Sequence, residues 1–229
     1  MIKKKLIKNA YKVDKFLIKF LKKQNNSLLV KPMKYGVISG GKKIRSTIIF
    51  DFGEIFNISE KKLINICSAV ECIHSYSLIH DDLPCMDNDK IRRGKPSTHI
   101  KFGEASAVLA GSSLLTLAFE IITCKKYSID SKKKNEIINS LASCSGHTGI
   151  AGGQELDLKF ENKKKKINKI IDMQKKKKGK STLLNLVGEK KAQNYGNNLK
   201  RKILRKLEKH GKKAEELRRT IKFILERKF

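Results

Sequence analysis

The chain contains no tryptophan, only three prolines and very few arginines. Its 229 residues include 44 lysines but 8 arginines, and 52 basic residues against 22 acidic ones give a formal net charge of +30. Proteins that read nucleic acids usually combine arginine with aromatic side chains, which bind and stack on bases. Because both are scarce here, we expect no nucleic-acid partner. A basic protein that binds RNA or an anionic membrane surface stays only as an alternative.

Long hydrophobic runs are also missing. The uncharged, mostly apolar run at residues 105–119 is too short to span a bilayer and predicts a buried core helix. Residues 2–23 predict an amphipathic helix without the continuous apolar core of a signal peptide. The apolar stripe of that helix consists of Ile2, Leu6, Ala10, Val13, Leu17 and Phe20. We therefore expect a cytoplasmic protein with no transmembrane segment.

Paired cysteines are absent as well. The five cysteines form no C-x-x-C pair, are odd in number and mostly lie in apolar stretches. They are Cys67, Cys72, Cys85, Cys124 and Cys144. This usage indicates reduced thiols in a cytosolic protein, and no metal site is inferred from the cysteines.

Alternating polarity typical of a strand persists nowhere in the chain. Helical spacing of apolar residues covers residues 58–78, 105–122 and 135–158. Two further stripes predict C-terminal helices that either close the bundle or keep partly uncovered apolar faces. They are Leu199, Ile203 and Leu207, then Leu217, Ile221, Ile224 and Leu225. The length allows one sizeable core, so we expect a single all-α domain over residues 1–229.

The helical pattern before Pro84 ends in an acidic segment. Proline disfavours a helical conformation at the preceding residue, so the helix should end near Asp82. The following loop should then bring Asp87 back toward Asp81 and Asp82. Carboxylate oxygens are the ligands that Mg²⁺ prefers when it bridges a protein to phosphates. These three aspartates are therefore the candidate metal ligands, and a solvated acidic turn is the alternative.

Basic residues follow the acidic segment and also stand near residue 40. Arg92 and Arg93 carry guanidinium groups, which bind phosphate oxygens in pairs. Lys42 and Arg45 follow a Gly-Gly pair and share one face of a helix start, where the helix dipole favours an anion. The alternative is a glycine turn followed by a solvated basic helix start, which would have the same sequence. Gln154 and Asp157 also share a helix face, either toward a cavity or as an ordinary helix pair.

Three segments resemble the trans-polyprenyl diphosphate synthases. The longest reads D-D-L-P-C-M-D-N-D-K-I-R-R-G-K-P-S-T at residues 81–98 and is similar to the family's first aspartate-rich motif, in the spacing of its bacterial farnesyl-producing members. G-G-K-K-I-R at 40–45 and G-G-Q-E-L-D-L at 152–158 resemble two further family motifs. The resemblance is continuous up to residue 178. It implies an isoprenoid-synthase-like helical bundle around a central cavity.

The resemblance also implies a reaction and roles for residues. Isopentenyl diphosphate would condense with an allylic diphosphate, dimethylallyl or geranyl, to give farnesyl diphosphate in isoprenoid biosynthesis. The implied roles are catalysis and Mg²⁺ binding by Asp81, Asp82 and Asp87; isopentenyl diphosphate binding by Lys42, Arg45, His74 and Arg93; and allylic diphosphate binding by Arg92, Lys177 and Lys180. Tyr76, five residues before Asp81, would limit the length of the product. A homodimer belongs to the same expectation.

One family feature is missing. Relatives carry a second aspartate-rich motif, D-D-x-x-D, but no pair of adjacent aspartates follows Asp82. Residues 179–229 form a shortened region, and from residue 159 onward 26 lysines and arginines stand against 7 acidic residues. The G-K-S-T letters at 179–182 are not a phosphate-binding loop, because the required glycine is replaced by Gln174. A degenerate, catalytically impaired family member is therefore the main alternative function.

Overall fold

The computed structural model describes residues 2–24, 27–38, 40–159 and 189–226, and nearly all regular structure in these ranges is helical. The first elements are α1 (Ile2–Leu21), a 3-10 turn (Lys22–Gln24), α2 (Val30–Val37), α3 (Ile44–Ile55) and α4 (Glu60–Asp81). A hairpin of β1 (Ile91–Arg92) and β2 (Lys95–Pro96) precedes α5 (Thr98–Phe102), α6 (Glu104–Thr123), α7 (Ser131–Ser145) and α8 (residues 150–159). The last are α9 (Glu189–Glu208), a 3-10 turn (Gly211–Ala214) and α10 (Glu215–Glu226). The expected all-α fold is confirmed.

The core is built around α4 and α6, which form the most extensive helix pair. Small fully buried residues on both helices, such as Ala69 and Ala110, let the two backbones approach closely. Larger side chains such as Leu114 fill the remaining space, and the burial of each contributes about 1.5–3 kcal/mol. This pair holds the end of α4, and hence the acidic segment, in a fixed place.

Helix α1 covers one side of this core. Its buried residues include Leu6, Val13 and Leu17, as the apolar stripe predicts, and they are joined by Asn9, whose amide donates to the hydroxyl of Thr47. Lys8 and Lys15, which lie between them in sequence, are exposed. The amphipathic helix expected at the N-terminus is confirmed.

The C-terminal helices pack on α3 and α1. Ile55, Leu207 and Leu217 form a second buried cluster with Ala214 at the turn between α9 and α10. Leu199 remains 46% exposed and Leu225 43% exposed. Both C-terminal alternatives therefore hold in part, because these helices close one side of the bundle and leave some of their apolar residues partly uncovered.

Two local predictions are wrong. The single helix expected over residues 135–158 is broken between α7 and α8, where Gly146 and Gly149 lie in a turn. A short hairpin occurs where no strand is expected, with Ile91 opposite Pro96 and Arg92 opposite Lys95. Its two loop residues, Arg93 and Gly94, both have positive φ, as a tight two-residue hairpin turn requires.

Helix α6 is, within the described part of the chain, the one helix long and apolar enough to cross a bilayer by length and composition alone. The same helix supplies Leu114, Leu117 and Ile121 to the buried core. Core helices of globular proteins pass that test too, so α6 is accounted for by its packing.

Candidate functional site

The acidic segment folds back on itself as the sequence predicts. Helix α4 ends at Asp81, and the backbone N–H of Asp87 donates to the carbonyl oxygen of Asp81 at 2.9 Å. A second turn forms where the N–H of Asn88 donates to the carbonyl of Leu83 at 3.0 Å. The loop therefore returns Asp87 to the end of the helix that carries Asp81 and Asp82.

Arg92 lies against this segment and pairs with its buried aspartate. Its Nε donates to Oδ1 of Asp82 at 2.8 Å, its terminal nitrogen bonds the same oxygen, and Asp89 lies 3.3 Å away. These bonds, with Asp82 contributing most, raise the pKa of Arg92. The hairpin is thus what places Arg92 beside the aspartates, and sequence spacing gives no sign of the Asp89 contact.

The aspartates offer the right atoms for magnesium but are not gathered around one point. In the described ranges, no group of three histidine, cysteine, aspartate or glutamate side chains is arranged to hold a metal ion. Asp82 is held by Arg92, and Asp81 accepts a hydrogen bond from the amide of Gln154. Hard carboxylate oxygens suit Mg²⁺, so the residues fit the ion by chemistry, and side-chain rearrangement would be needed to bind it.

An open cavity of about 350 Å³ extends along α4 from this acidic end. Its walls come from α3, α4, α7 and α8, and its polar residues include Arg45, His74, Asp81 and Gln154. The rest of the wall is largely apolar and includes Val70, Ile73, Leu78, Leu141 and Ile150. Gln154 therefore faces the cavity, whereas Asp157, expected on the same helix face, is exposed and absent from the lining.

The predicted basic residues gather around the turn that leads into α3, and Arg45 among them lines the cavity. The guanidinium of Arg93 donates to the carbonyl oxygen of Gly40 and lies against Gly41, in the turn that leads into α3. Gly40 and Gly41 have φ of +88° and +104°, which glycine adopts readily. Arg93 therefore reaches the helix start that carries Lys42 and Arg45, although about fifty residues separate them in sequence.

His74 lies beside this positive group. Burial, reinforced by the charges of Arg45 and Arg93, lowers the pKa of His74 from 6.5 to about 4. A neutral imidazole offers one donor and one acceptor at neutral pH. The arrangement can therefore surround an anion with several cations and one neutral hydrogen-bonding ring.

Two residues that contact this basic cluster were missed by sequence reasoning. Lys43 is buried: its ammonium donates to the carbonyl of Val37 at 2.8 Å and lies 3.3 Å from Asp14. Lys43 therefore anchors the turn from the side of the core, whereas Lys42 is exposed to solvent. Phe223 of α10 places its ring centroid 5.6 Å from the Lys42 ammonium, so the C-terminal helix reaches the basic cluster around the turn into α3. The sequence gives no signal for this contact, because nothing distinguishes Phe223 from the other apolar residues of a lysine-rich segment.

Tyr76 and the two C-terminal lysines complete the predicted set. The ring of Tyr76 packs edge to face against His80 at 5.0 Å and contacts the main core, and it is not part of the cavity lining. Its neighbour Ser77 does line the cavity. Lys177 and Lys180 lie outside the described residues, so their predicted roles stay predictions.

An acidic helix end and a basic turn beside a largely apolar cavity suit a ligand with a diphosphate head and an apolar chain. Comparison with known sequences is in accord. The family described as "Polyprenyl synthetase" matches residues 26–181, and the chain belongs to this family.

Individual relatives agree with this assignment. The chain is 48% identical over 139 residues to the farnesyl diphosphate synthase of Escherichia coli (strain K12), a match covering 60% of this chain and 46% of the relative. It is 47% identical over 136 residues to that of Bacillus subtilis (strain 168), covering 59% and 46%. The chain thus spans about half the length of the curated relatives it matches.

Solved structures extend the likeness to the whole bundle. An FPP/GFPP synthase from Zymomonas mobilis superimposes with a TM-score of 0.80 at 30% identity, covering 96% of this chain and 98% of the other. A geranyltransferase from Legionella pneumophila, 24% identical, superimposes with the same TM-score, covering 96% and 94%, and supports the fold alone.

Proposed function

We propose that the chain is a short-chain prenyltransferase that condenses isopentenyl diphosphate with dimethylallyl or geranyl diphosphate to form farnesyl diphosphate. The observation that supports this best is the cavity that carries Asp81 at the acidic end of α4, Arg45 and His74 among its polar lining and apolar residues over the rest of its wall. An allylic diphosphate has the same order of parts, with a charged head that attracts cations and an apolar chain. The family membership and the named activities of the relatives point the same way.

In this proposal the basic cluster orients isopentenyl diphosphate. Lys42, Arg45 and Arg93 would neutralise its diphosphate, and His74 would donate one hydrogen bond from its neutral ring. Positioning of this kind raises the rate because it replaces a chance encounter with a fixed geometry. The double bond of isopentenyl diphosphate would then face the allylic carbon, and loss of a proton would complete the condensation.

The acidic end would hold the allylic substrate. Magnesium bound there supplies charge withdrawal from the leaving diphosphate. Asp81 and Asp87 would provide oxygens first, and Asp82 would join them once Arg92 turns to the diphosphate. Lys177 and Lys180 are proposed as further contacts of this diphosphate. The apolar walls would shield the allylic cation from water on their sides of the cavity. Tyr76, beside the lining residue Ser77 on α4, is proposed to limit chain growth.

The proposal includes a cytoplasmic location and a homodimer. Exposed apolar residues on α6, Val108 and Leu109, offer a surface for a second copy. A mass close to twice that of one chain in light scattering is the expected result, and Val108→Asp should shift it to the monomer.

Magnesium-dependent binding tests the acidic end. We expect Asp81→Ala or Asp87→Ala to abolish the calorimetric binding of geranyl diphosphate that Mg²⁺ adds over the same titration in EDTA. Asp157→Ala removes an exposed carboxylate from α8 outside the cavity and should leave that binding unchanged. Equal binding by all three variants and the unsubstituted chain would show that the metal assignment is wrong.

A degenerate protein that binds these diphosphates without turning them over is the second candidate. It is favoured by one observation, the absence of any adjacent aspartate pair after Asp82. The two candidates make the same binding prediction and differ in turnover, which is the measurement that separates them.

A further inference from the structure

A second, larger cavity lies at the other end of α4. Its volume is about 890 Å³, and it is formed by the end of α1, the start of α4 and the end of α6 with the loop that follows. Ile64 in its wall stands 17 residues before Asp81 on one continuous helix. At a rise of about 1.5 Å per residue this is about 25 Å, so one prenyl diphosphate cannot occupy both cavities at once.

The floor of this cavity is aromatic and aliphatic. Phe16 and Phe20 stack with ring centroids 5.9 Å apart, and Ile64 and Tyr127 extend the apolar surface. Tyr127 is largely buried, and its phenol donates to the carbonyl of Lys62 at 2.8 Å, which fixes this part of the lining. The floor can therefore accept an apolar chain at a gain of about 25 cal/mol for each Å² removed from water.

The polar groups between floor and rim are already used by the protein. Asn65 donates to the carbonyl of Ile121 at 3.0 Å. The amide of Gln24 donates to both carboxylate oxygens of Glu120 at 3.0 Å. Glu120 is the one carboxylate in the lining, and this contact occupies it.

The rim is strongly basic. Six exposed lysines line the cavity: Lys19, Lys23, Lys61, Lys62, Lys125 and Lys126. Among the residues that the structure describes, no carboxylate lies in ion-pair contact with any of these six, although other lysines such as Lys5 and Lys12 are paired. Cations left uncompensated around an apolar floor attract a ligand with a multiply charged anionic head and an apolar chain.

We propose that this distal cavity binds one prenyl diphosphate, with the chain on the aromatic floor and the diphosphate among the rim lysines. The diphosphate provides two to three negative charges for the lysines, and the isoprenoid chain matches the apolar floor in kind. Binding there needs no magnesium, because no other carboxylate lines the cavity to share a metal. The choice of a prenyl chain rests on the proposed function, whereas the anionic and apolar parts follow from the cavity itself.

Photolabelling tests the site directly. A farnesyl diphosphate analogue with a diazirine on its chain is irradiated with the protein in EDTA, and labelled fragments are mapped by mass spectrometry. We expect label in residues 16–24, 59–65 and 120–128. Geranyl diphosphate should compete, whereas farnesol and inorganic pyrophosphate, each lacking one half of the ligand, should compete at least tenfold less well.

A matched pair of variants separates site binding from general charge. K61E/K62E lies in the first turn of α4 and K132E/K133E in the first turn of α7, and acidic residues are tolerated at both helix starts. Labelling of the three fragments should fall at least tenfold in K61E/K62E and stay unchanged in K132E/K133E. An equal fall in both variants would overturn the proposal, as would label confined to the cavity beside Asp81.

Two further outcomes would also overturn it. Full competition by pyrophosphate would show a phosphate site without a chain. If K61E/K62E abolishes sedimentation with phosphatidylglycerol vesicles while the three fragments carry no label, the patch contacts a membrane instead. The result is independent of the aspartate site, because Asp81→Ala should leave labelling in EDTA unchanged whether or not it affects magnesium-dependent binding.

Discussion

Gly41 determines where Arg93 can lie. A Cβ atom added at Gly41 would stand 2.8 Å from the guanidinium carbon of Arg93, whereas one added at Gly40 would meet nothing within 4 Å. Both glycines have positive φ, so alanine at either position costs about 1 kcal/mol of backbone strain. The two positions therefore differ in the space around them and share the backbone cost.

We predict that Gly41→Ala weakens isopentenyl diphosphate binding about tenfold, since it displaces one of the cations that face the anion. Gly40→Ala should lower the free energy of unfolding by a similar amount but change binding less than threefold. Calorimetry and thermal unfolding on the two variants give both numbers. Equal loss of binding in both would mean that turn conformation, and not the position of Arg93, controls affinity.

His74 makes stability depend on pH. Its pKa falls from 6.5 to about 4 on folding, so the unfolded chain binds more protons between these values. The folded state therefore loses stability as pH falls from about 6.5 to about 4, because protonation of His74 favours the unfolded chain. Above pH 6.5 His74 is neutral in both states, and this loss is absent. The ring is partly exposed, so we expect a loss of about 1–2 kcal/mol.

Replacing His74 by Gln should flatten this part of the stability curve. Urea unfolding at several pH values measures it, and His147→Gln, at an exposed turn between α7 and α8, is the control. A curve for His74→Gln that keeps the full slope of the unsubstituted chain would assign the pH dependence to other groups.

Residue-level reasoning from sequence succeeded where the cause was local. Pro84 alone predicts the end of α4 and the return of Asp87 toward Asp81, and the structure confirms both. It could not give the bond between Arg92 and Asp82, which depends on how a hairpin turns. Nor could it give the burial of Lys43, because Lys42 and Lys43 are adjacent lysines and the sequence does not show which of them has buried partners.

At the scale of elements, a buried ion pair fixes α10 to the rest of the bundle. Asp51 of α3 has a fully buried side chain; Lys5 of α1 lies 2.5 Å from it, and the hydroxyl of Thr220 of α10 donates to it at 2.5 Å. Burial raises the pKa of Asp51 despite these partners. Three helices distant in sequence therefore meet at one carboxylate.

We predict that Asp51→Asn lowers the free energy of unfolding by about 2–4 kcal/mol, because it leaves the Lys5 ammonium with one less partner in a buried position. Glu216→Gln removes the more exposed partner of Lys5 and should cost less than about 1 kcal/mol. Hydrogen exchange should show faster opening of α10 in Asp51→Asn only. Equal effects of the two substitutions would show that burial of the carboxylate is unimportant.

The elements themselves were partly predictable. Strong periodicity gave α1, α4 and α6 nearly to their ends, since long apolar stripes outweigh local propensities. The break between α7 and α8 was missed although Gly146 and Gly149 mark it, because glycine inside an apolar pattern is compatible with a continuous helix. The hairpin was missed because two-residue strands are too short to show alternation.

At the scale of the whole molecule, the missing aspartate pair should limit catalysis. The family resemblance implies that two aspartate-rich motifs hold the leaving diphosphate from two sides, and the sequence carries one of them. If the lost metal contributes about 3–6 kcal/mol to the transition state, the rate falls by roughly a hundred- to ten-thousand-fold. The protein should therefore bind both substrates yet form little farnesyl diphosphate from labelled isopentenyl diphosphate.

Product chromatography after long incubation with magnesium measures this, with geranyl diphosphate as the allylic substrate. A fraction of geraniol should accompany the product, since an incompletely closed cavity admits water to the cation. Turnover near one per second would contradict the prediction and show that another group replaces the second motif.

The ion pair between Arg92 and Asp82 would also couple the binding of magnesium to that of a diphosphate. Magnesium alone would have to compete with Arg92 for Asp82 and would give the displaced guanidinium no new partner. A diphosphate that arrives with the metal offers Arg92 a phosphate in exchange, so each ligand strengthens the other, and the gain is the same whichever is counted first. In the proposed enzyme the closed ion pair would therefore open only when metal and diphosphate arrive together, which would spare the carboxylates from unproductive magnesium binding in the absence of substrate.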